Sequence, residues 1–252
     1  MKTDHPTPGD IPALRRLWTA AFGDSGLFLD GFFAKGFSSE RCLCLYENGV
    51  LAAALYWFDC HFGEEKTAYI YAVATDPVYR GRGFCRALMS AAHDLLRQRG
   101  YTLALLVPGS EGLFRMYAGM GYVPCTRVRE FTCDAAGEKL PLREITPAEY
   151  TTLRQKLLPP GSVVQEGENL AFLQTCTRLF AGENALLAAE LSQKEARIVE
   201  FLGEESLAPG ILQTLGKPRG TFRTPGIEKP FAMALPLTDS TPLPTYFGLA
   251  FD

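Results

Sequence analysis

Between Asp76 and Arg86 the chain reads Asp-Pro-Val-Tyr-Arg-Gly-Arg-Gly-Phe-Cys-Arg, a loop of glycine and arginine set between an apolar strand and a helix. The helix start offers unpaired backbone N–H groups and the positive end of its dipole. Gly81 and Gly83 let the chain approach a ligand with no Cβ in the way. Arg80 and Arg82 add full charges, so the junction suits an anion the size of a pyrophosphate. Further on, Tyr117 lies in Ser110-Glu-Gly-Leu-Phe-Arg-Met-Tyr-Ala-Gly-Met-Gly-Tyr122. A phenol, with an ordinary pKa of about 10, stays protonated at neutral pH and can supply a proton to a leaving group.

The spacing is not that of the common nucleotide loops. The chain has no Gly-x-x-x-x-Gly-Lys-Ser/Thr, and no Gly-x-Gly-x-x-Gly opens a strand–helix unit, which argues against ATP and NAD. The order Arg80-x-x-Gly83-x-Cys85 instead resembles the acetyl-CoA loop of the GCN5-related N-acetyltransferases (GNAT), Arg/Gln-x-x-Gly-x-Gly/Ala, with Cys85 in place of the usual small residue. The segment Ser110 to Tyr122 is similar to that family's short helix, Asn-x-x-Ala-x-x-Leu-Tyr-x-x-x-Gly-Phe, and Tyr117 falls on the family tyrosine.

The resemblance implies an α+β fold on a mixed sheet and acetyl-CoA as acyl-donor co-substrate. It implies cofactor contacts at Arg80, Gly81, Arg82, Gly83, Phe84 and Cys85, with the pantetheine arm along the backbone of Val73, Ala74 and Thr75. Tyr117 would protonate the departing thiolate, and Ser110, where Asn is common, would cap its helix or reach a pantetheine carbonyl. The implied reaction moves an acetyl group to a primary amine of a small molecule or peptide by direct attack. No carboxylate lies between Tyr69 and Val73 to act as base, although Asp59, Glu64, Glu65 and Glu130 occupy neighbouring strands or loops. Cys85 has no His in its motif and reads as a packing residue. An alternative with the same loop is a non-catalytic acyl-CoA-binding sensor, which would bind CoA without turnover.

The positioning elements follow from periodicity. Ile11, Leu14, Leu17, Trp18 and Phe22 predict a helix over 10–22, and a second apolar helix spans 27–37. Residues 41–46 and 50–58 flank Glu47-Asn48-Gly49 as a hairpin, and 66–75 is a third strand. After the loop come a helix over 84–99, a buried strand over 101–107, a short helix over 111–120 and strands around 122–132. The strand–loop–helix–strand run is a right-handed crossover, so the strands before and after it should lie parallel. Pro108 cannot donate to a ladder, so pairing should fail at that end.

The rest of the chain echoes this order. Thr146-Pro147-Ala148-Glu149 with Leu153-Arg154 repeats Thr7-Pro8-Gly9-Asp10 with Leu14-Arg15, a helix-capping pattern in each case. A helix over 169–180, strands over 185–191 and 196–202, a helix over 205–215 and three strands ending at 246–251 complete the series. Where a phosphate loop would stand, Gly203-Glu204-Glu205 would repel one. The expectation is a GNAT domain over 1–134 and a smaller, degenerate GNAT-like domain over 138–252 without a CoA loop.

Residues 1–134 hold 14 basic and 14 acidic groups, leaving 11 and 14 of the totals of 25 and 28 for the remainder. Neither part is a polyanion binder, so nucleic acid is not an expected partner. The longest apolar run, Val50 to Phe58, is too short to span a bilayer, and the start Met-Lys-Thr-Asp-His-Pro has no apolar leader, which predicts no membrane partner and a cytoplasmic location. Seven cysteines without a Cys-x-x-Cys pair and three scattered histidines predict reduced thiols and no metal site. A homo-oligomer is compatible with the sequence. Tandem-domain acetyltransferases that the chain resembles use their own carboxyl terminus in the site, which would bring in the terminal carboxylate of Asp252, whereas the residues alone favour a frayed terminus.

Overall fold

The computed structural model describes residues 1–251; Asp252 lies outside the described residues. In chain order the elements are β1 (Lys2–Asp4), α1 (Ile11–Phe22), α2 (Gly26–Gly31), β2 (Cys42–Glu47), β3 (Val50–Phe62), β4 (Glu65–Thr75), α3 (Phe84–Gln98), β5 (Leu103–Leu106), α4 (Glu111–Ala118) and β6 (Val123–Pro124). There follow β7 (Arg127–Asp134), β8 (Leu142–Glu144), α5 (Pro147–Leu157), β9 (Val164–Gln165), α6 (Glu168–Leu173), β10 (Arg178–Gly182), β11 (Ala185–Leu191), β12 (Glu195–Gly203), α7 (Ala208–Leu215), β13 (Arg219–Pro225), β14 (Lys229–Pro230) and β15 (Met233–Pro236). Among the described residues, no helix is long and apolar enough to cross a membrane.

The chain forms two compact units that are not contiguous in sequence: Met1–Val123 with Met233–Leu243, and Pro124–Ala232 with Pro244–Asp252. This differs from a single division at 134–138. The reason lies in strand pairing: β7, expected to finish the first unit, pairs antiparallel with β13, while β15 supplies the outer partner of β5.

In the first unit the sheet runs β1-β2-β3-β4-β5-β15, antiparallel throughout except for the parallel pair β4–β5. Leu88, Met89, Ala92 and Leu96 of α3 pack in one cluster with Trp57, Ile70 and Ala104 of the strands. Strand alternation sends Tyr56 and Tyr71 to the other face, where rings from α1 and the turn after α2 cover them: Trp18 lies 5.3 Å from Tyr56 and 5.6 Å from Tyr71, and Phe32 lies 5.0 Å from Tyr56. The helix expected over 27–37 ends at Gly31 and becomes a wide turn over Phe32–Gly36, closed by Phe37 N–H to Phe32 O at 2.8 Å. Gly31 and Gly36 weaken helix propensity there, and the turn lets Phe32 join the ring cluster.

The second unit repeats the plan, with sheet order β14-β7-β13-β12-β11-β10-β8 and the parallel pair β12–β13. Both expected capping patterns form: Thr7 N–H bonds Asp10 Oδ2 at 2.8 Å, and Thr146 N–H bonds Glu149 Oε2 at 3.0 Å. Two expectations change. The helix over 169–180 stops at Leu173, because Thr175 and Thr177 donate their hydroxyls to Phe172 O (2.7 Å) and Leu173 O (2.8 Å) and end it, leaving Arg178–Gly182 as a strand. Residues 246–251 are not a ladder strand. Only a single bridge joins Tyr246 to Ser162, since Pro242 and Pro244 lack donors and Gly248 turns the chain against the Tyr246 hydroxyl.

Candidate active site

The site of the first unit is built on a fork. β4 and β5 pair only from Thr67–Leu103 to Tyr69–Leu105, while β4 continues to Thr75. Pro108, just past β5, has no N–H to extend the ladder. Within the open stretch, the register of β4 against β3 slips between Ala54–Ala74 and Tyr56–Tyr71, so Ala72 and Val73 together oppose Leu55. Ala72 takes φ 47°, a left-handed conformation that strains any residue with a Cβ. Nothing in an alanine's side chain announces this, so the bulge has no signature among the residues that form it.

Beyond the bulge the ladder phase is set by Asp76 N–H, which bonds Ala52 O at 2.9 Å. Antiparallel alternation then turns the backbone groups of Ala74 toward β3 and those of Val73 and Thr75 toward the fork. Thr75 O accepts from Arg80 Nε at 3.1 Å, so one of these groups is already used to brace the loop.

The loop closes the mouth of the fork. Asp76 caps a short turn by accepting from Val78 N–H at 3.0 Å, and Gly81 and Gly83 take φ 74° and 80°. Apart from the adjoining residues, no described protein atom lies within 4 Å of where a Cβ would stand on either glycine, so each faces open space. The first helical bond of α3 is Ala87 N–H to Gly83 O at 3.0 Å, which leaves the N–H groups of Phe84, Cys85 and Arg86 as the free donors of a helix start. This cradle fits a diphosphate.

The arginines serve the loop as well as its charge. Arg82 stacks over Tyr79 (5.3 Å) and Phe84 (5.0 Å) and stands 3.9 Å from Glu47; Arg86 Nη1 donates to Gly119 O at 2.8 Å, tying α3 to the end of α4. Burial pushes the Cys85 thiol upward despite the adjacent Arg86, so it is held as the neutral thiol, in keeping with packing.

On α4, Ser110 Oγ accepts from Leu113 N–H at 3.3 Å and so caps the helix. Tyr117 is buried in the last turn, and burial together with the nearby Cys85 pushes its phenol above the ordinary tyrosine value, so it is a proton donor at neutral pH. Two of the four carboxylates considered from sequence, Asp59 and Glu130, have other engagements. Asp59 accepts from the Tyr101 hydroxyl and stands 3.6 Å from Arg41. Glu130 belongs to the second unit and is held by Arg223 and Lys229; burial works upward on it, but these cations outweigh it and keep its carboxyl below the usual range.

His93 of α3 is buried with its Nε2 2.8 Å from the Tyr122 hydroxyl, and burial, reinforced by Arg97, lowers its pKa to about 4 while Asp94 works the other way. The unfolded chain, with histidine near its ordinary 6.5, takes up that proton first. The stability His93 gives is therefore complete above about pH 6.5 and is lost as pH falls toward 4. Urea titrations should show the stability of the unaltered protein falling relative to His93→Gln by on the order of 2 kcal/mol over that interval; parallel pH curves would refute this.

The second unit has the same frame without the cradle. β12 and β13 pair from Glu195–Arg219 to Ile198–Phe222, and β12 continues to Gly203. Glu205 is bound by Arg129 at 2.5 Å, and a Cβ on Gly203 would meet Asn184 O at 2.8 Å.

A sheet with one forked parallel pair, a glycine–arginine loop at its mouth and a tyrosine-bearing short helix beyond define the acyl-CoA N-acyltransferase type of α+β fold. Residues 2–125 match the family model described as acetyltransferase (GNAT) domain. Over these residues the chain is a GNAT-superfamily domain. Similar solved structures include GCN5-related N-acetyltransferases from Kribbella flavida (16% identity, TM-score 0.68, covering 92% of this chain and 70% of that one) and Anabaena variabilis (16%, 0.71, 94% and 73%). A tandem GNAT protein from the clavulanic acid biosynthesis pathway aligns over 95% of this chain and 99% of its own at 12% identity and TM-score 0.59. At these identities the likeness concerns the fold. No curated protein sequence matches the chain.

Proposed function

We propose that the protein is an acetyl-CoA-dependent N-acetyltransferase whose first unit moves the acetyl group to a primary amine of a small molecule or peptide. Three features of the first unit support this reading: open glycines at the start of α3, a fork between β4 and β5, and a protonated buried phenol on α4. The diphosphate lies on the N–H groups of Phe84, Cys85 and Arg86, and the pantetheine arm bonds Val73 and Thr75 as an added strand. The N–H groups at the Ala72 bulge face the developing oxyanion. The amine nitrogen attacks the thioester carbonyl; the C–S bond breaks, and the thiolate takes the Tyr117 proton as the ammonium proton passes to water. The second unit, without a cradle, binds no CoA.

Thiol release over a panel of amines, followed by mass spectrometry of the product, tests this. Tyr117→Phe should lower kcat by about 10²-fold with the acetyl-CoA dissociation constant unchanged. CoA binding without turnover on any amine would leave a sensor in place of an enzyme.

A further inference from the structure

Tyr122 and His93 take no part in the steps above, yet they are a buried polar pair directly behind Tyr117. Tyr122 is 1% exposed and sits in the same apolar cluster as Leu88, Met89, Ala92 and Tyr117. A hydroxyl in such surroundings costs stability unless it is bonded, and its partner is His93 Nε2 at 2.8 Å. The ring of Tyr122 meets that of Tyr117 edge to face, with centroids 5.8 Å apart and planes at 63°. Its N–H also bonds Tyr117 O at 3.2 Å. Tyr122 thus touches Tyr117 through ring and backbone, and its own ring is fixed by a hydrogen bond to α3.

α3 is the helix whose first turn carries the anion cradle, and α4 is the eight-residue helix that carries the phenol. Arg86 to Gly119 O ties the two at the cradle end, and His93 to Tyr122 ties them deeper in the core. Between those ties the distance from cradle to phenol is fixed. A proton donor misplaced by about 1 Å can cost 10²-fold in rate.

We propose that Tyr122, held by His93, is a positioning residue for Tyr117, and that its hydroxyl sets where the phenol meets the departing sulfur. This rests on the reading of Tyr117 as the acid. Removing the hydroxyl leaves the ring in place but frees its rotation, and the effect must then pass through Tyr117 alone.

The test uses the full chain, acetyl-CoA, and whichever amine of a panel of spermidine, tobramycin and a lysine-containing peptide turns over fastest. Tyr122→Phe and His93→Leu should each lower kcat by about 5- to 20-fold, with the CoA dissociation constant by calorimetry within about twofold. His93→Gln, which keeps a polar atom for the hydroxyl, should restore most of the loss. In a Tyr117→Phe background, Tyr122→Phe should add less than about twofold, because a residue acting through the phenol has nothing left to act on. Full kcat in Tyr122→Phe overturns the inference, as does a loss that multiplies that of Tyr117→Phe. Full activity in Tyr117→Phe overturns the acid reading instead, and an absence of turnover on every amine removes both. His93→Leu, an apolar replacement in an apolar site, keeps the experiment open if Tyr122→Phe folds poorly.

Discussion

Gly83→Val is expected to abolish measurable acetyl-CoA binding, raising the dissociation constant by more than about 10²-fold, while the chain still folds. Two costs combine. At φ 80° a β-branched residue is in a region that L side chains avoid, at roughly 1–2 kcal/mol. The isopropyl group also enters the space above the first turn of α3, where no described atom beyond the adjoining residues lies within 4 Å of the Cβ position, and that is where a diphosphate would have to approach the N–H groups. The control separates these. Gly63, in the turn between β3 and β4, has φ 58° and equally open surroundings, but no helix start faces it. Gly63→Val should lower thermal stability as much as Gly83→Val and leave CoA affinity unchanged. If calorimetry gave equal affinities for both variants, the cradle would not be the binding site.

The same glycines show what could be read before any coordinates. The sequence Arg-Gly-Arg-Gly between an apolar strand and an amphipathic helix fixes a positive-φ loop at a helix start, and the loop has that form. Capping at Thr7 and Thr146, the Asn-Gly hairpin and the β4–β5 crossover were equally legible, because each depends on residues close in sequence. The bulge at Ala72 was not, since its cause is a register slip against β3 rather than any property of alanine. The pairing of β7 with β13 and of β15 with β5 was invisible for a related reason. A strand's periodicity shows that it needs a partner and never which one. The site arginines were legible as charges, but not that Arg80, Arg82 and Arg86 would each be anchored by Thr75, Glu47 and Gly119.

The second unit offers a prediction of similar size. Past Ile198, where its parallel ladder ends, β12 carries Glu200, wholly buried. Arg154 reaches it with Nε at 2.7 Å and Nη2 at 2.9 Å, the Tyr150 hydroxyl donates to it at 2.8 Å and the Tyr246 hydroxyl at 3.1 Å. In the first unit the corresponding stretch of β4 borders the open fork; here a charged network stands in that position. A Cβ on Gly248 would run into Tyr246 Oη and Glu200 Oε1, so the tail closes over the network with no space left.

Such a pair is costly to break and cheap to replace. Glu200→Leu leaves a guanidinium with no anion in the core, and Arg154→Leu leaves the carboxylate with only two hydroxyls, so each should cost about 3–5 kcal/mol in urea unfolding of this unit. The double variant removes both charges and should recover most of that loss. The coupling decides between two accounts of the second unit. If the network only fills a fork that no longer binds an acyl arm, the double variant should keep CoA affinity and turnover near those of the unaltered protein. A double variant as unstable as the sum of the singles would mean that the ion pair's geometry, and not its charge balance, holds β12, α5 and the Tyr246 segment together.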